Sequence, residues 1–141
     1  MIERDEEHFF GKVAQKAIIV KGTAVLLSRD VDDATTWELP GGRLNVDEDP
    51  KKGLARELFE ELGVVCEIGD VVYSEQFFHT RAQQHSLLLA YVASLEDLNA
   101  QFILADDEVA EVRWVDFAAV KEYEIYDNCR HALEHYLSTH A

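Results

Sequence analysis

Both prolines of this chain and four of its seven glycines, Gly41, Gly42, Gly53 and Gly63, fall between residues 40 and 63. Backbone punctuation this dense leaves the stretch few ways to fold. Asp49-Pro50 offers an N-cap and a first helical residue, and Gly63 a left-handed stop, so a helix is predicted from about Pro50 to Leu62. Ahead of it, Trp37-Glu38-Leu39 alternates apolar with acidic and reads as a short strand that Pro40-Gly41-Gly42 brings to a halt.

On a helical wheel with Glu57 at zero, Glu60 falls at about −60° and Glu61 at about +40°. Leu54, Ala55, Leu58, Phe59 and Leu62 fill the arc from about 60° to about 200° and are the predicted core face. The adjoining face therefore carries three carboxylates at i, i+3 and i+4, which repel one another unless a cation neutralises them. Hard cations such as Mg²⁺ take carboxylate oxygens, and three converging glutamates suit one. Gly53 lies on the same face one turn earlier, at a cost of roughly 1 kcal/mol in helix propensity against Ala, and its missing side chain leaves room for a ligand.

From Gly42 the chain runs through five residues to Glu48, then seven residues to Arg56-Glu57-Leu58-Phe59-Glu60-Glu61-Leu62-Gly63-Val64. This is a complete match to the signature of the Nudix hydrolases, and an accidental match is on the order of 10⁻⁷ or less at average residue usage. The chain thus resembles that family over 23 contiguous residues. The resemblance implies an α/β (α+β) fold with a mixed β-sheet sandwiched between α-helices. It also implies hydrolysis of a pyrophosphate bond in a nucleoside di- or triphosphate or another nucleoside-diphosphate-linked compound, with Mg²⁺ or Mn²⁺. Carried over position by position, Glu57, Glu60 and Glu61 are the expected metal ligands, with the Gly41 carbonyl a further one. Arg56 flanks and orients a carboxylate, and Glu48 comes near the same site from the loop. Glu57 is the first choice for general base and Glu108, in Asp106-Asp107-Glu108, the second, with Asp127 weaker. The resemblance also allows a homodimer, for which no interface is legible.

Substrate contacts are less constrained. Trp37, Tyr73, Phe77, Phe78 and Tyr126 offer stacking surfaces, although aromatics at strand spacing are more often core. His79, Arg81 and His85 fall in a polar segment between two expected strands and are placed to meet phosphates. Two subfamily markers are missing: Phe78 stands where relatives acting on ADP-ribose usually carry a proline, and Arg81-Ala82 where those cleaving dinucleoside polyphosphates often carry a tyrosine.

The rest of the chain supplies a sheet. Lys12 to Ser28 holds two apolar, β-branched runs broken at Gly22, and Val64 to Tyr73, Leu87 to Ser94 and Glu111 to Val115 read as strands. Phe117 to Tyr123 reads as a short helix and Asn128 to Ser138 as a terminal one, with Ala132, Leu133, Tyr136 and Leu137 inward. At 141 residues, with 48% apolar and 29% charged, the composition is that of one globular domain over 1–141. The longest apolar run, Leu87 to Ala93, is far short of a bilayer span, and the acidic opening Met1 to Glu7 has no positively charged leader, so neither membrane nor export is expected. Cys66 and Cys129 have no metal or redox spacing and are expected as free thiols in a reducing cytoplasm.

Thirteen Lys and Arg against twenty-eight Asp and Glu give a formal charge of −15, which disfavours a nucleic-acid partner, including RNA ends, and calls for a cation between protein and any polyanionic substrate. The partner expected is a small-molecule nucleotide or diphosphate. A non-catalytic module of the same fold that senses a nucleotide or sugar phosphate is the alternative, and it would be expected to lack some of the glutamates present here. His131-Ala132-Leu133-Glu134-His135 matches the H-x-x-E-H pattern of certain zinc peptidases. Only six residues follow His135, too few for the further ligand such a site needs, so this is read as a decoy on a solvated helix.

Overall fold

The computed structural model describes residues 7–140; most of the acidic opening lies outside the described residues. Strand β1 (Lys12–Lys21) is the spine of the sheet. One of its edges pairs in parallel with β5 (Gln84–Leu95) from Lys12 to Ile19. The other edge is shared: β3 (Gly41–Arg43) pairs antiparallel with Ala14 to Lys16, and β2 (Ala24–Asp30) with Val20 and Lys21. β4 (Cys66–His79) and β6 (Val109–Asp116) close the two ends, giving the order β4-β5-β1-β2-β6 with β3 beside β1. The expected mixed sheet between helices is what is found.

Alternation along β1 explains the layers. Ala17 and Ile19 join the cluster that α1 (Pro50–Leu62) seals with Leu54, Leu58 and Leu62, all fully buried. Ile18 points the other way, into the cluster that α2 (Asp127–Thr139) seals with Cys129, Ala132 and Leu133. Each buried leucine of α1 is worth roughly 1.5–3 kcal/mol of removed apolar surface. Both cysteines are buried and free. No helix among the described residues is long and apolar enough to cross a membrane.

Helix α1 begins and ends where the sequence indicates. The Asp49 carboxylate accepts from Lys52 N–H, and Gly63, at φ 68°, donates its N–H to the Phe59 carbonyl. Four expectations need correction. Pro40-Gly41-Gly42 does not only stop a strand: Gly41–Arg43 is itself β3, whereas Trp37 and Glu38 form isolated bridges. Gly41 is obligatory there, since its φ is 146° and a Cβ would lie 2.0 Å from the Gln15 carbonyl oxygen. Phe59 is not core but 58% exposed, because it sits at the far margin of the apolar arc. The polar segment around His79 and His85 is not a long loop: β4 and β5 run on through both residues, leaving a tight turn at 80–83. On an edge strand with one wet face, polar residues mask the period. The space beside Gly53 is filled, not open to a ligand, as described below.

Candidate active site

The site is built where β1 changes partners. The close approach of Gly41 to Gln15 fixes the β3 backbone, and Gly42 receives the Glu57 side chain: a Cβ on Gly42 would stand 2.7 Å from Glu57 Oε2. Gly53 does the same for Glu48, whose carboxyl carbon lies 2.6 Å from where its Cβ would be. The two glycines thus make room for the protein's own carboxylates.

Arg56 ties these carboxylates together. Its Nε donates to Glu48 Oε2 at 2.8 Å, one terminal nitrogen to Glu60 Oε2 at 2.9 Å and the other to Glu57 Oε1 at 3.3 Å. Hydrogen bonding to Arg56 holds the Glu48 carboxyl below its ordinary pKa, and Glu48 and Glu60 in turn raise that of Arg56. Glu48 also accepts from Asn45 N–H at 3.2 Å, which fixes the loop before the helix. Glu60 is the most exposed of the carboxylates that Arg56 binds.

Glu61 lies deeper. The segment after β5 crosses the end of α1, with Ile103 N–H donating to the Leu62 carbonyl and Ala105 N–H to that of Glu61, both at 2.9 Å. These bonds satisfy carbonyls that a helix end leaves orphaned, and they carry Glu108 to the same place. Glu61, Glu108 and Gly41 line a cavity of about 240 Å³. Burial, with Glu57 and Glu108 nearby and Lys16 opposing, pushes the Glu61 carboxyl from the ordinary 4.5 up to about 8. Burial is the largest cause, and the neighbouring carboxylates add to it.

Among the described residues, no three carboxylate, imidazole or thiol groups are already gathered as a metal-binding cluster. The donor set nevertheless fits a hard divalent cation. It consists of oxygens alone, comes from one helix and the facing β3 backbone, and includes a carboxylate seated in a cradle that only glycine leaves open. Glu57, Glu60 and Glu61, with the Gly41 carbonyl, are the residues that would hold it.

A second, larger groove of about 760 Å³ adjoins the first, and Gly41, Glu38 and Asp30 line both. Phe78, Arg81, Tyr126 and Asp127 line the groove, Phe78 at 47% and Tyr126 at 40% exposure. The Tyr126 hydroxyl is already committed, donating to Asp33 Oδ2 at 2.5 Å. Burial and this bond raise its pKa to about 12, and the same bond, with help from Thr35, lowers that of Asp33. Trp37 is not at hand for stacking: it is core, 8% exposed, with Arg29 and Arg113 over its ring and Tyr123 at its edge. Tyr73 packs against the core beside His135.

Sequence reasoning missed several groove residues. Lys16 reaches Glu38 Oε1 at 2.5 Å and is nearly buried. Burial lowers its pKa, but Glu38 outweighs this and the net shift is upward. The available signal was a lysine at the head of the apolar run Ala17 to Val20. Glu75 and His131 meet across β4 and α2, and nothing in their spacing announces the pair. His131 is thereby turned to Glu75 and His135 to the Tyr73 ring, so the H-x-x-E-H pattern does not present two histidines to one ion.

The sequence profile of the NUDIX domain matches residues 12–136. A MutT-like protein of Streptomyces ambofaciens is 41% identical over 59 residues, 42% of this chain and 38% of that protein. The CTP pyrophosphohydrolase of Escherichia coli K12 is 40% identical over 63 residues, 43% of this chain and 47% of that protein. The match thus spans less than half the length of these curated relatives. Among solved structures, the E. coli ORF135 protein superposes with a TM-score of 0.76 at 25% identity, covering 92% of this chain and 91% of that one. A MutT Nudix hydrolase from Burkholderia pseudomallei gives 0.75 at 23% identity, covering 88% and 96%, and so shares the fold. A profile that runs from the first strand into the last helix describes the entire sheet and not merely a shared loop, and this chain belongs to the Nudix family.

Proposed function

We propose that this chain hydrolyses a pyrophosphate bond in a nucleoside di- or triphosphate, or a related nucleoside-diphosphate compound, with Mg²⁺ or Mn²⁺. The observation that carries the reading is the carboxylate set on α1, held by Arg56 and opening through Gly41 onto a groove of nucleoside size. Support also comes from relatives whose names specify nucleoside triphosphates: the CTP pyrophosphohydrolase already described and a putative 8-oxo-dGTP diphosphatase 2 of Mycobacterium tuberculosis.

When bound, the divalent ion neutralises phosphate oxygens and lowers the pKa of water. The protein's own residues do the rest. Glu57, Glu60, Glu61 and the Gly41 carbonyl would hold the ion. Arg56 and Glu48 keep the carboxylates of α1 in register by charge-assisted hydrogen bonds. Glu57 takes the proton from the attacking water, with Glu108 the second candidate because it shares the cavity with Glu61. Phe78 and Tyr126 contact the nucleoside at the far end, and Arg81, in the same groove, meets phosphate oxygens.

Release of phosphate and pyrophosphate from nucleoside triphosphates, nucleotide sugars, ADP-ribose, dinucleoside polyphosphates and NADH, with and without Mg²⁺ or Mn²⁺, tests this directly. Metal-dependent release from one class names the substrate; no release from any overturns the reading.

A further inference from the structure

His131 is the half of the H-x-x-E-H pattern that faces the groove, and a carboxylate holds its ring in place. Glu75 Oε1 accepts from the Tyr73 hydroxyl at 2.8 Å and lies 2.9 Å from His131 Nδ1, and Glu75 Oε2 is 3.2 Å from the same nitrogen. A carboxylate only accepts, so Nδ1 carries a hydrogen toward Glu75, and the tautomer with that single ring hydrogen leaves a lone pair on Nε2. Among the described residues Nε2 has no protein partner. Glu75 is mostly buried, whereas the His131 side chain retains 41% of its exposure and lines the 760 Å³ groove with Phe78, Tyr126, Asp127 and Asn128. Glu75 comes from β4 and His131 from α2, so the imidazole is braced by two different layers of the fold.

Resting on the function proposed above, we propose that His131 is a specificity-determining residue that reads a hydrogen-bond donor on the nucleoside part of the substrate, with Glu75 as the residue that positions it. A fixed Nδ1–H tautomer makes Nε2 an acceptor, which suits an O–H or N–H and gains nothing from a bare carbonyl oxygen. A nucleoside supplies such a donor as a sugar hydroxyl, an exocyclic ring amine or a ring N–H. A substrate lacking the donor leaves that lone pair without its partner, a loss on the scale of one hydrogen bond.

The test is a comparison of kcat/KM ratios in wild type, His131→Phe, His131→Gln and Glu75→Gln. One arm sets ribonucleoside triphosphates against their 2′-deoxy counterparts, the other an amino-bearing pyrimidine triphosphate against its oxo analogue, all with Mg²⁺. His131→Phe is expected to flatten one of the two ratios by about ten-fold, the worth of one hydrogen bond. Flattening in the ribose arm identifies a sugar hydroxyl; flattening in the pyrimidine arm identifies an exocyclic amine where the wild type prefers the amino-bearing substrate and a ring N–H where it prefers the oxo analogue. His131→Gln, whose amide oxygen can reach the position of Nε2, recovers part of the preference, and Glu75→Gln, which frees the tautomer, loses part of it. A brace of purely structural importance would lower activity on every nucleotide alike, so unchanged ratios in both arms overturn the proposal, as does a Gln variant no more selective than Phe. If His131→Phe does not fold, the Gln variants of His131 and Glu75 decide the matter by the same ratios. Wild-type protein that hydrolyses none of the panel above with Mg²⁺ or Mn²⁺ overturns the proposed function itself, a result separable from unchanged ratios in an active enzyme.

Discussion

At the α1 end of the groove, Glu48, Glu57, Glu60 and Glu61 come from one short stretch, and a single guanidinium gathers three of them. At the α2 end, the wall takes Asp33 from the turn after β2, Glu75 and Phe78 from β4, and Tyr126, Asp127 and His131 from the start of α2. The first end is set by local helix geometry and by two glycines that admit carboxylates. The second exists only once three distant segments have packed. Chemistry shared by a family can therefore be held at the first end while the second is altered to change the substrate.

The largest effect is expected at the α1 end. Glu57→Gln should lower kcat by on the order of 10³-fold, because it removes a charged oxygen where the transition state needs a cation held in place. Its melting temperature without metal should stay level or rise as like-charge repulsion is relieved. Wild-type turnover in this variant would remove Glu57 from the metal set.

Gly53→Ala separates helix stability from site geometry. The added methyl meets the Glu48 carboxyl at 2.6 Å, so Glu48 must swing away from Arg56. Helix propensity improves by up to about 1 kcal/mol while activity falls, by roughly ten-fold if one charge-assisted bond is lost. Thermal melts and steady-state kinetics on the same sample check both signs.

A pH dependence follows from Glu61. Its folded pKa, about 8, lies above the ordinary 4.5, so the folded state binds the extra proton between these values. That contribution is complete below about pH 4.5 and is lost as pH rises through 8. In the presence of a chelator, melting temperature should fall between pH 5.5 and 8.5 more steeply in wild type than in Glu61→Gln. Equal slopes would show that Glu61 is not the group responsible.

The smallest effect belongs to the α2 end. Phe78→Ala should raise KM several-fold and change kcat less, since an exposed aromatic supplies stacking worth about 1 kcal/mol and no transition-state charge. A larger change in kcat than in KM would place Phe78 nearer the chemistry than the fold suggests.

The unequal legibility of the two ends has a physical cause. Asp49, Pro50 and Gly63 fix α1 by local rules, and its 3.6-residue period places Glu57, Glu60 and Glu61 without any knowledge of the sheet. Trp37 shows where such reasoning fails. As an aromatic it offers a stacking surface like Phe78 and Tyr126, yet Arg29 and Arg113 cover it in the core. Polar residues beyond Tyr73 hide the continuation of β4 along the sheet edge, where its pairing runs to His79. The H-x-x-E-H spacing is a decoy in the sequence already, but only the fold sets Glu75 opposite His131.

The sequence alone determined the helix with its caps, the carboxylate face, the burial of Leu54, Leu58 and Leu62, and the family. Those depend on neighbours within a turn or two, where backbone geometry is the same in any fold. Tertiary structure alone decided that Gly53 and Gly42 shelter Glu48 and Glu57, that Glu108 reaches Glu61, and that Glu75 braces His131. Such contacts join residues that only chain reversals bring together, and no periodicity records which side chain will stand across the gap.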